Sequence, residues 1–128
     1  MITFFVHFYF QLFVHFYIDF NNDKLLIASK YKKTIEYILK ITDNYPHKYL
    51  DLKTNISNTC FEILEYIYIS NIDKKNKKLI IPKIKMLDYY LKLSYKYDII
   101  TKKKYEVVSN YLLELTKMIM GWINEESK

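Results

Sequence analysis

A chain of 128 residues with one glycine and two prolines has little material for tight turns. Sandwiches and barrels need a hairpin after nearly every strand, built on glycine, proline and asparagine. The scarcity therefore points to long helices joined by a few short connections. Hydrophobic residues make up 51% of the chain, which argues against disorder and supplies the core of one domain.

Apolar residues recur at helical spacing in four runs. The first, residues 23–43, carries Tyr31, Ile35, Ile38 and Thr42, with Asn22 or Asp23 as its cap. Asn44-Tyr45-Pro46 ends it, because the residue before a proline avoids the α region. The second, residues 49–70, carries Leu52, Ile56, Cys60, Ile63 and Ile67, and a lysine-rich connector follows over residues 71–78. Pro82 suits the first turn of a third helix that ends near Ile100, with Ile84, Leu87, Leu91 and Tyr95 inward. Thr101 caps a fourth helix in which Tyr105, Val108, Leu112, Leu115, Ile119 and Trp122 step alternately by three and four. The predicted fold is all-α: an antiparallel four-helix bundle over residues 22–123, with a polar tail over 124–128. Second apolar stripes lie beside the main ones: Phe61, Leu64 and Tyr68 on the second helix, Val107, Tyr111 and Met118 on the fourth. Two readings of them stand, a wide core filled by large tyrosines or a subunit interface.

Residues 1–21 are different in kind. Residues 1–20 hold nine aromatic residues and one charge, Asp19, and Phe5-Val6-His7-Phe8-Tyr9 returns as Phe13-Val14-His15-Phe16-Tyr17. A membrane helix needs about 20 apolar residues, and residues 2–18 fall slightly short and include His7, Gln11 and His15. A signal peptide would want a basic start and a small-residue cleavage site, and neither is present. The third reading is an upstream stretch translated from a start placed too early. Contact with a membrane is open only to residues 2–18. His7 and His15 have no third ligand nearby and make no metal site.

Catalytic patterns are missing from the rest. With Gly121 as the only glycine, no phosphate-cradling loop or dinucleotide fingerprint can form. Glu62 and Glu65 are three apart, but neither is followed by the histidine that a di-iron bundle requires. His47 stands alone in a turn. Cys60 excludes an intrachain disulfide and reads as a buried, inert thiol in a reducing compartment, hence the cytoplasm. No enzyme activity, cofactor or metal is expected.

The net charge is +6, from 20 lysines and no arginine. A basic balance suits anionic partners. Lysine holds phosphate as a point charge and lacks the fork that reads guanine, so shape and charge recognition is expected, not base reading. Lysines concentrate over residues 71–85, with Lys74, Lys75, Lys77 and Lys78 in the connector, and over residues 92–104. A charge run in a loop is usually a solvated surface. Lys92 and Lys96, four apart, share a helix face. The candidate nucleic-acid residues are Lys85, Lys92, Lys96, Lys102, Lys103 and Lys104. Tyr89, Tyr90 and Tyr97 lie close by and could stack on bases, or serve as core or interface.

Three stretches of the last two helices carry a resemblance. They are Ile84-Lys85-Met86-Leu87-Asp88-Tyr89-Tyr90-Leu91-Lys92-Leu93, then Asp98-Ile99-Ile100-Thr101 with Tyr105, then Lys117-Met118-Ile119-Met120-Gly121-Trp122-Ile123. Together they resemble the Avd family, accessory proteins of diversity-generating retroelements within the wider group of four-helix bundle proteins. Tyr45-Pro46 resembles the aromatic-proline turn between that family's first two helices. The match covers about residues 25–123. It implies a homopentameric barrel of bundles, a basic surface for template RNA and cDNA, and a reverse transcriptase partner that does the chemistry of mutagenic reverse transcription. The sequence departs from the family pattern at Asp88, where a basic residue is typical, and at Thr116 and Met120, where glycine is usual. Two other classes of function compete: a structural or protein-interaction bundle of the kind encoded in ribosomal RNA insertions, and a membrane-anchored bundle.

Overall fold

The computed structural model describes residues 23–126. The apolar N-terminal extension, with its histidine pair and its membrane reading, lies outside the described residues. Four helices follow one another: α1 (Asp23–Thr42), α2 (Leu50–Ile72), α3 (Ile80–Lys96) and α4 (Lys102–Glu126). Short 3-10 segments join α1 to α2 (His47–Tyr49) and α2 to α3 (Lys74–Leu79). Each helix packs on two neighbours, in the ring α1–α2–α3–α4–α1. This is the antiparallel four-helix bundle expected from the spacing. Among the described residues, no helix is long and apolar enough to cross a membrane.

The core follows from the three-four stripes. Tyr31, Ile35 and Ile38 of α1, Ile56, Cys60, Ile63 and Ile67 of α2, and Val108, Leu112, Leu115, Ile119 and Trp122 of α4 are all buried in one cluster. Thr42 is also buried, and its hydroxyl donates to the Ile38 carbonyl at 2.9 Å, one turn back. The Tyr31 hydroxyl donates to the Cys60 carbonyl at 2.7 Å and ties α1 to α2 inside the core. A carbonyl has two lone pairs, so Cys60 can accept this bond without giving up its place in the helix ladder.

The structure corrects the reading of the connector and of α3. Helix α2 runs on to Ile72, and Asp73 then caps the 3-10 segment, accepting from the Lys75 N–H at 3.1 Å. Lys74, Lys75 and Lys78 are solvated, but Lys77 is only 2% exposed, with its ammonium 4.4 Å from the centre of the Trp122 ring. The cause is register. A 3-10 segment brings residues three apart onto one side, and Lys77 stands three before Ile80, which is in the core. Lys77, Ile80, Ile84, Leu87, Leu91 and the buried Ser94 form one stripe. Ser94 thus takes the inward place expected of Tyr95, which is half-buried.

Helix α3 also ends earlier than Ile100. Asp98 adopts the left-handed conformation (φ 61°). The Ile99 N–H donates to the Ser94 carbonyl at 2.8 Å and the Asp98 N–H to the Tyr95 carbonyl at 3.0 Å. This is a Schellman end, usually built on glycine, and aspartate is one of the few other residues that tolerate it. Thr101 then caps α4 as expected, its hydroxyl accepting from the Lys104 N–H at 3.2 Å.

Two predictions follow from these packing details. Asp98→Gly should raise the unfolding free energy by about 1 kcal/mol and Asp98→Val should lower it by at least as much, both read from urea denaturation. The second concerns alkali. Burial pushes the Cys60 thiol up to about 12. Burial first, and Cys60 second, push the Tyr31 hydroxyl above its ordinary 10.0. The fold keeps both protons where the unfolded chain gives them up. Stability is therefore complete below about pH 9 and falls above it, by about 1.4 kcal/mol per pH unit for each group ionised only in the unfolded chain. Urea midpoints should hold to about pH 9, drop between about pH 9 and pH 11, and drop less in Tyr31→Phe.

Candidate functional site

Helix α3 turns Ile84, Leu87, Leu91 and Ser94 inward, which leaves Lys85, Tyr89, Lys92 and Lys96 on the opposite side, where all four are exposed. At about 100° per residue these four positions fall within one narrow arc. The spacing that buries one stripe thus creates a second, basic one. Lys96 also lies in the last turn of α3, where the helix dipole favours a cation.

Helix α4 supplies the edge of this face. A groove of about 290 Å³ between α3 and α4 is lined by Ile81, Ile84, Lys85 and Asp88 on one side and by Ser109, Leu112, Leu113 and Thr116 on the other. Lys102 stands seven residues before Ser109, so it lies on the α3-facing side of its helix. Asp88 meets Tyr105 across the pair, and this antiparallel register sets Lys92 about level with Lys102. The structure therefore brings Lys85, Lys92, Lys96 and Lys102 to one face. Lys103 and Lys104 are exposed but fan round the first turn of α4, away from that stripe.

Few acids oppose these charges. Lys102 reaches Glu106 at 3.9 Å, one turn on, an exposed pair of small energetic weight. Among the described residues, Lys85, Lys92, Lys96, Lys103 and Lys104 make no ion pair, while Lys30 pairs with Glu114 at 3.2 Å and Lys83 with Glu62 at 3.0 Å. Glu114 and Glu62, on other faces, are thus engaged by lysines outside the stripe.

Asp88, the departure noted from the sequence, is half-buried. Its carboxylate accepts from the Tyr105 hydroxyl, with O–O distances of 3.2 and 3.3 Å. Burial first and the Asp88 charge second raise the Tyr105 pKa, which keeps the phenol protonated as a donor. The Tyr105 ring stacks on Tyr95, with centroids 5.8 Å apart. The aspartate thus closes the α3–α4 seam under the lysine stripe. No single-helix pattern signals this pairing, because it depends on the register between two helices.

Other candidates are placed less favourably. Glu62 and Glu65 are exposed, not inward, so they cannot form the carboxylate pair of a bundle metal centre. Among the described residues, no cluster of three or more His, Cys, Asp and Glu side chains could hold a metal. A groove of about 410 Å³ between α1 and α4, lined by Lys30, Lys33, Tyr37, Tyr111 and Met118 among others, is crossed by the Lys30–Glu114 pair. Its cationic side is therefore partly neutralised.

Tyr105→Phe should lower stability by about 0.5–1 kcal/mol, and this loss should shrink once Asp88 is replaced by alanine, as read from a double-mutant cycle in urea. Additive losses would mean that the two side chains do not interact.

A family model described as bAvd-like matches residues 25–126. No curated protein matches the chain. The family match runs from the first turn of α1 to the last residue of α4 and takes in the whole of the basic face. This chain belongs to the bAvd-like family.

Proposed function

We propose that the protein is a non-catalytic accessory component of a diversity-generating retroelement. In this reading it binds template RNA or its cDNA through the α3–α4 lysine face and serves a reverse transcriptase that performs the chemistry. The observation that carries the reading is the aligned stripe of Lys85, Lys92 and Lys96 with Lys102 at its edge, free of acid partners except for the weak Lys102–Glu106 contact. Family membership supports it, since Avd-type proteins are accessory proteins of such elements. The lysines supply the positive charge that a phosphate backbone needs, and without arginine they read shape and charge, not base identity.

The proposal includes self-association into a ring of bundles. Leu113 and Met120 of α4 and Met86 of α3 remain about half exposed, which suits contact with a second copy. A structural bundle without a nucleic-acid role is the alternative reading, and the exposed Phe61 and Leu50 of α2 are the features that favour it.

Salt titration of RNA and DNA binding by the full chain separates the two. Roughly four neutralised phosphates give a log–log slope near −3 on single strands and somewhat steeper on duplexes. Lys92→Glu should weaken binding and flatten the slope by about one unit or more. Weak binding even at low salt, unaltered by Lys92→Glu, would overturn the reading and leave a protein scaffold.

A further inference from the structure

The α1–α2 and α3–α4 turns lie at the same end of the bundle, and two tyrosines meet there. The Tyr49 and Tyr97 rings are stacked, with centroids 5.9 Å apart and planes 19° from parallel. Neither ring belongs to the core cluster or to the residues packed against it. With Tyr49 against it, Tyr97 is still 56% exposed. The Lys48 ammonium lies 5.1 Å from the Tyr49 ring centroid, and Lys96 precedes Tyr97 in sequence. Lys102, Lys103 and Lys104 open α4 at the same end.

We infer that this stack is a platform for an unpaired base, so that the protein takes single-stranded nucleic acid at the turn end of the bundle. This rests on the nucleic-acid reading of the lysine face and extends it to a site that the lysines alone do not define. Every base has a π-face, so stacking on an exposed tyrosine recognises single strands without reading sequence. A duplex keeps its bases stacked on each other and offers none except at its ends. The platform is held rigidly. Tyr97 is the C-cap of α3, its N–H donates to the Leu93 carbonyl at 2.9 Å, and the left-handed Asp98 fixes the chain just after it. In the α1–α2 turn, Tyr45 is half-buried against the core, and burial raises the pKa of its hydroxyl, with Ser94 beside it. The lysine stripe of α3 leads to this end, and Tyr97 follows Lys96 about 100° round the helix, so a strand lying along Lys85, Lys92 and Lys96 turns there to set a base on Tyr97.

The probes are a single-stranded oligouridine, its oligodeoxythymidine counterpart and a duplex of equal length with closed hairpin ends, titrated into the full chain by fluorescence anisotropy. Tyr97→Leu should weaken both single strands by about tenfold with the salt slope unchanged, leave the duplex unaffected, and be rescued by Tyr97→Phe. Loss on one single strand only would name RNA or DNA as the ligand. Photocrosslinking of an iodouridine oligomer to the wild-type chain should map to Tyr97, which keeps the test valid if Tyr97→Leu folds poorly. Unchanged single-strand affinity in a folded Tyr97→Leu, or crosslinks confined to other residues, would overturn the platform, whereas Lys92→Glu sensitivity would still uphold the lysine face. Absence of binding to any probe at low salt would remove both. A purely structural clip between the two turns would lower the melting temperature of Tyr97→Leu and leave affinity and crosslinks untouched by the stack.

Discussion

Burial of one three-four stripe on each helix fixes what is left for solvent, and the surface chemistry follows from that constraint. On α3 the inward set is Ile80, Ile84, Leu87, Leu91 and Ser94. Rotating the helix enough to hide Lys92 would bring Leu87 and Leu91 into water, at roughly 1.5–3 kcal/mol for each apolar side chain exposed. Lys85, Tyr89, Lys92 and Lys96 are therefore held outward as a set. Asp88 lies between the two arcs, and its half-buried position lets it reach Tyr105 on the neighbouring helix. The one acid in the midst of the basic stripe thus becomes part of the seam.

The ends of the bundle are shaped by the shortage of glycine. Where α3 must stop, the chain uses Asp98 in a left-handed conformation and completes both Schellman hydrogen bonds. Where α2 must stop, Asp73 caps a 3-10 segment that carries Lys77 under Trp122. Each solution leaves the connection short and fixed by hydrogen bonds. At the turn end this holds the exposed Tyr97 and the half-buried Tyr49 in set positions, and in the proposed role that lowers the ordering cost of stacking a base there.

Much of this was legible in the sequence. The stripes of α1, α2 and α4 were readable because apolar residues fill most inward positions, with the buried polar Thr34, Thr42, Ser70 and Asn71 confined to α1 and the end of α2. The structure buries Tyr31, Ile38, Ile56, Ile63, Leu112 and Ile119 accordingly. The α3 stripe was only half readable, because its two ends are Lys77 and Ser94, and a polar residue at an inward position breaks the hydrophobic signal. Extending the three-four count backward from Ile84 through Ile80 reaches Lys77, and that count was the available clue. The second stripes divided. Leu64, Tyr68 and Met118 pack against the core, while Phe61 and Tyr111 stay exposed. A wide core explains the first three, and the last two are surface. For the site, the alignment of Lys92 with Lys96 followed from spacing alone. The separation of Lys102 from Lys103 and Lys104, the Asp88–Tyr105 bond and the Tyr49–Tyr97 stack all require knowing which helices are neighbours and in what register.

The central claim is that the α3–α4 face, and not the lysine content as such, is what nucleic acid meets. Lysine footprinting addresses it directly, by acylating the full chain with and without single-stranded RNA at low salt and reading each lysine by mass spectrometry. The account predicts protection of Lys85, Lys92, Lys96 and Lys102, with Lys32, Lys33, Lys74 and Lys75 modified as in the free protein. Even protection across all exposed lysines, or protection centred on α1, would contradict it.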